Sequence, residues 1–84
     1  MTEKQLVELG FEKQEEFDGV DDGFYYYTLT IATGFEFITN ANDECDHDDD
    51  WCVEFFESYP TIRWRNAADL KLVIAAINTG EKVK

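Results

Sequence analysis

Apolar and polar residues alternate along the middle of the chain, while helical spacing is confined to its two ends. Near the start, Thr2 followed by Gln5 has the form of a capping box. Leu6, Val7 and Leu9 give an apolar stripe and Gly10 suits a C-terminal cap, so a short helix ends there. FEKQEEF (11–17) predicts a strand, and DGVDDG (18–23) is dense in turn residues. The aromatic and β-branched run FYYYTLTIA (24–32) predicts the second arm of a hairpin. Gly34 permits another reversal into FEFIT (35–39), with Phe35 and Phe37 on one face and Glu36 on the other. WCVEFFES (51–58) sets Trp51, Val53 and Phe55 opposite Cys52, Glu54 and Phe56. After the break at Tyr59 and Pro60, TIRWR (61–65) sets Ile62 and Trp64 opposite Arg63 and Arg65. Asn66 is the expected N-cap of a last helix, with Asp69 in its first turn. Leu70, Val73, Ile74 and Ile77 line one side of that helix before Gly80.

These elements predict an α+β fold: an antiparallel meander of about five strands, with an N-terminal and a C-terminal helix packed on one face. The length of 84 residues allows one core. A single domain is therefore expected over residues 1–80, with a frayed tail at 81–84.

Charge adds a second theme. The net charge is −12, and between Lys13 and Arg63 there is no lysine or arginine but there are fourteen acids. The stretch NANDECDHDDDWCVEFFE (40–57) holds eight of them. With 44% hydrophobic residues the chain can still fold. A field of one sign repels nucleic acid and anionic membranes and attracts basic surfaces, so direct nucleic-acid binding is not expected. No apolar run approaches the roughly 20 residues of a bilayer span, and the first residues are too polar for a secretory leader. The expected location is cytoplasmic.

Four readings compete for the acidic stretch. Asp46, Asp48, Asp50, Val53 and Glu57 fit positions of a calcium loop, but Trp51 stands where such a loop needs glycine, and the flanks read as strands rather than helices. Cys45, His47 and Cys52 form a C-x-H-x4-C pattern, a weak zinc signal without a second cysteine pair. No cofactor or metal is expected, and both cysteines are expected as free thiols. The third reading is a solvated hairpin loop from Asn40 to Asp50, with Glu36 and Glu54 pairing across strands with Arg63 and Arg65. The fourth is an electrostatic interface. Crowded carboxylates cost self-repulsion that solubility alone does not require. At alternate strand positions they lie roughly 7 Å apart, close to the spacing of phosphates, so they can occupy a basic groove built for nucleic acid. The residues expected to contact such a partner are Asp43, Glu44, Asp46, Asp48, Asp49, Asp50 and Trp51, together with Asp21 and Asp22 from the other acid cluster. Tyr25, Tyr26 and Tyr27 could add stacking area. Whether Asp46, Asp48, Asp49 and Asp50 stabilise the fold or serve contact is left open; as contact residues, their joint replacement by asparagine should leave stability unchanged or slightly raised.

Catalysis is not expected. The one histidine, His47, lies among carboxylates, Ser58 is the one serine, and acidic surroundings raise a thiol pKa and disfavour a thiolate nucleophile.

The L-x-x-L-G-F opening (Leu6 to Phe11), the YYYTL strand (Tyr25 to Leu29), the W-x-V-x-F-F segment (Trp51 to Phe56) and the DLKLVI helix (Asp69 to Ile74) resemble small uncharacterised proteins of Bacteroidetes genomes, phages and mobile elements. That resemblance implies a role in conflict between phage and host, and brings no catalytic residues with it. In size and acidity the chain is also similar, as a class, to phage-encoded inhibitors of the anti-CRISPR and anti-restriction type. The expected function is inhibition of a basic nucleic-acid-binding protein such as a CRISPR effector nuclease. The alternatives are an immunity-type or regulatory interaction module and a calcium-binding domain. Oligomeric state is left open by the sequence.

Overall fold

The computed structural model describes residues 1–16, 24–32, 34–57 and 60–81. Helix α1 (Glu3–Glu8) is followed by strands β1 (Glu12–Glu16), β2 (Phe24–Ala32), β3 (Phe35–Thr39), β4 (Val53–Phe55) and β5 (Arg63–Trp64), and by helix α2 (Ala67–Thr79). The five strands form one sheet in chain order, and every neighbouring pair is antiparallel. The fold is the expected α+β meander. The 18–23 turn, Tyr59 and tail residues 82–84 lie outside the described residues.

Both helices begin where side-chain chemistry dictates. Thr2 Oγ1 accepts from Gln5 N at 3.2 Å while Gln5 Oε1 accepts from Thr2 N at 2.8 Å, closing the capping box. At the other end of α1, Gly10 takes φ 100°, a left-handed conformation that costs glycine little. Phe11 N then donates to Leu6 O and Gly10 N to Val7 O, both at 3.0 Å, with Leu6 and Phe11 buried together. The L-x-x-L-G-F stretch is thus a helix stop with its accompanying apolar contact. Asn66 caps α2 by accepting from Ala68 N at 2.8 Å and Asp69 N at 3.3 Å.

Register decides which face is buried. Lys13 opposes Tyr27, Leu29 opposes Phe37, Thr39 opposes Val53, and Val53 opposes Trp64. Tyr27, Phe37 and Val53 therefore lie on the side that meets Leu6 of α1 and Leu70 of α2, with Val73, Ile74 and Ile77 packed against them. Phe37, Leu6, Leu70 and Val53 are fully buried, each contributing about 1.5–3 kcal/mol of hydrophobic stabilisation. An aromatic row continues across the same side, where Phe37 stacks on Phe55 at 4.7 Å and Phe55 meets the edge of Trp64 at 5.1 Å. Thr28, Ile38, Glu54 and Arg63, also in register, occupy the opposite face.

β4 and β5 are shorter than the alternation in 51–58 and 61–65 predicts, and at Trp51 and Arg65 the backbone carbonyls are taken by the α-ammonium of Met1. It donates to the carbonyls of Asp49 and Trp51 at 2.9 Å and of Arg65 at 3.2 Å. Met1 is 6% exposed, so all three donors are satisfied inside the fold. Cys52 N is taken by the side chain of Asn40 at 3.1 Å. The segments flanking both strands therefore spend backbone groups on these partners. Beyond Phe55 the strand ends in a turn, where Glu57 adopts φ 59°. No helix among the described residues is long and apolar enough to cross a membrane.

Candidate functional site

The β3–β4 connection begins with two asparagines that build it. Asn40 accepts from Cys52 N through Oδ1, and its Nδ2 donates to Asp50 O and Cys45 Sγ, both at 3.2 Å. One amide thus closes the neck of the loop. Asn42 Oδ1 accepts from Tyr25 N at 2.8 Å, which ties the loop to β2 past the end of β3. A single 3-10 turn, Asn42–Glu44, follows, with Glu44 Oε1 accepting from Ala41 N at 3.3 Å.

At the far end the chain turns through residues 46–50 rather than extending. Asp50 Oδ2 accepts from Asp46 N and His47 N, each at 3.0 Å, and Asp50 N donates to His47 O. Asp50 is half-buried and organises the turn, so this one of the expected contact residues also has a structural role. The turn also removes the strand-like spacing expected for these carboxylates.

Asp43, Glu44, Asp46, Asp48 and Asp49 are exposed, as is His47. Among the described residues the ion pairs are Lys13–Glu15 and Arg63–Glu54, so no carboxylate of the loop forms an ion pair with a lysine or arginine side chain. The cross-strand pairing expected of Glu54 is present, with Arg63 Nε donating to Glu54 Oε1 at 2.7 Å.

Trp51 stands apart from the acids. It is 3% exposed, stacked on Tyr25 at 5.8 Å and edge-on to Tyr27 at 5.3 Å. Its area belongs to the core, where it anchors the loop, and it offers no stacking surface to a partner. Tyr27 is buried as well, and its hydroxyl donates to Glu3 Oε1 at 2.9 Å. Burial, with the Glu3 carboxylate beside it, pushes the Tyr27 pKa up to about 12. The same causes raise Tyr25, whose ring also carries Lys13 Nζ at 4.0 Å. Asp21 and Asp22 lie outside the described residues.

The metal readings meet two structural facts. The calcium frame runs into β4, placing Val53 in a strand and Trp51 in the core. Among the described residues no group of three His, Cys, Asp or Glu side chains is placed to hold an ion. Both cysteines are free, and desolvation pushes the Cys45 thiol up despite the hydrogen bond from Asn40.

The loop is therefore a pinned scaffold presenting exposed carboxylates that form no ion pair among the described residues. The pinning residues Asn40, Asn42 and Met1 were not singled out from the sequence. Two asparagines at the start of a loop were the available signal. No family model, curated protein or solved structure matches the chain.

Proposed function

We propose that the protein is a non-enzymatic inhibitor acting in the host cytoplasm, where the 43–49 carboxylates dock on a basic surface of a nucleic-acid-binding protein. The target class we assign is a CRISPR effector nuclease. The supporting observation is the combination of exposure and fixation. Asp46, Asp48 and Asp49 are exposed and without a cationic partner among the described residues, on a backbone held by Asn40, Asn42, Asp50 and the Met1 ammonium. A loop ordered in advance loses little entropy on docking. Concentrated negative charge accelerates encounter with a basic groove and competes there with phosphates.

A pull-down from host lysate at low salt tests the reading. It should retain a nucleic-acid-binding protein that is released by added nucleic acid and by salt. Capture of a toxin would favour the immunity-type alternative, and capture that ignores salt would contradict an electrostatic interface.

A further inference from the structure

The face of the sheet turned away from both helices carries a groove of about 650 Å³. Ile38 and the largely buried Cys52 are its apolar lining residues. Arg63 and Arg65 line it from β5 and its exit, while Glu44 and Asp50 line it from the loop. Arg63 is engaged with Glu54, whereas Arg65 is exposed and makes no ion pair among the described residues. The groove is therefore mainly polar and presents both signs of charge around Ile38, in a chain that is otherwise overwhelmingly acidic.

That lining selects against partners of one sign. A uniformly basic surface would set its cations against Arg65, and a uniformly acidic one would meet Glu44 and Asp50. A twofold-related copy satisfies both sides at once, because in such an interface residue i meets j and j meets i.

We infer that this groove is the self-association surface of the chain: a second copy docks on it about a twofold axis, with Ile38 near the axis and Arg65 of each copy against Glu44 of the other. Asp43, Asp46, Asp48 and Asp49 do not line the groove and stay available to a different partner, whereas Glu44 lines it and serves that partner only in the monomer. Two chains each carrying −12 repel at long range. Association should therefore strengthen as salt rises to about 0.3 M, where repulsion across the whole molecule is screened more than close pairs are. This is opposite in sign to the salt dependence proposed for the nuclease-type partner.

Sedimentation equilibrium on the full 84-residue chain, at concentrations up to about 1 mM, tests the inference. The wild-type chain should form dimers. Arg65→Glu and Glu44→Arg should each weaken self-association by about tenfold or more, since each creates two like-charge contacts. An equimolar mixture of the two variants should recover association, because the mixed pair restores both contacts. Damage to either variant's fold would not be repaired by mixing.

A second measurement is independent of substitution. Intermolecular nuclear Overhauser effects between labelled and unlabelled wild-type copies should appear at the Ile38 methyls. A wild-type chain that stays monomeric over the whole range, or dimers whose contacts lie elsewhere, would overturn the proposal. So would folded variants that remain monomeric when mixed.

Discussion

One carboxylate oxygen of Asp50 accepts the backbone N–H of His47 at 3.0 Å, and the same oxygen accepts that of Asp46. The densest run of aspartates thus divides into one residue that shapes the turn and neighbours that are presented by it. Charge-assisted bonds of this kind are stronger than neutral ones, and removing a carboxylate cap costs about 0.5–2 kcal/mol. Asp50→Ala should lower stability by that amount in urea denaturation. Asp46→Asn, Asp48→Asn and Asp49→Asn together should leave it unchanged or slightly raised, since like-charge repulsion falls. Equal losses in both proteins would refute the division.

The Tyr27–Glu3 hydrogen bond ties α1 to β2 and gives the fold an alkaline limit. Below the ordinary tyrosine value of 10.0 the phenol is protonated in both states, and its contribution is complete. Between 10.0 and about 12 the unfolded chain releases the proton while the folded chain keeps it, so stability falls across that window by roughly 2–3 kcal/mol. Tyr25 and Cys45, both raised, act with the same sign. Tyr27→Phe should cost about 1 kcal/mol at neutral pH and flatten the alkaline fall. Denaturation midpoints measured against pH for both proteins check this, and identical slopes would contradict it.

Met1 makes a third test available in the 84-residue chain. Acetylating its α-amino group replaces three donors by a single N–H, so at least two of the carbonyls of Asp49, Trp51 and Arg65 lose their partner. The bond to Trp51 is buried and the other two are part-buried, so with a penalty of about 1–3 kcal/mol for a buried unpaired group stability should drop by roughly 1–3 kcal/mol. An unchanged denaturation midpoint would show that the ammonium is dispensable.

Local chemistry explains how far the fold was legible. β2 and β3 match FYYYTLTIA and FEFIT end to end, because alternation of large apolar side chains fixes both the strand and its buried face. α1 and α2 follow from Thr2, Gln5, Gly10 and Asn66, whose effects reach only three or four residues. β4 and β5 were overextended. Their flanking backbone groups are claimed by the Met1 ammonium, across about fifty and sixty residues of chain, and by the Asn40 amide. No local pattern reports such partners.

The site was legible to a similar depth. Exposure of Asp43 to Asp49 follows from composition, whereas the capping role of Asp50 depends on a turn geometry that a run of aspartates does not specify. Trp51 shared its face with Val53 and Phe55 in the sequence pattern, and that pattern, rather than its place beside the acids, decided its fate. The groove lined by Ile38, Glu54 and Arg63 exists because of strand register, which becomes readable when β3, β4 and β5 are assembled.

The central claim is that the exposed carboxylates of the loop are the inhibitory contact. Its most direct test is inhibition of the captured nucleic-acid-binding protein by the wild-type chain and by the Asp46→Asn, Asp48→Asn, Asp49→Asn protein, with unfolding measured on the same preparations. The variant should be as stable as wild type and at least about tenfold weaker as an inhibitor, because several charge contacts are lost together. A stable variant that inhibits as strongly as wild type would contradict the account.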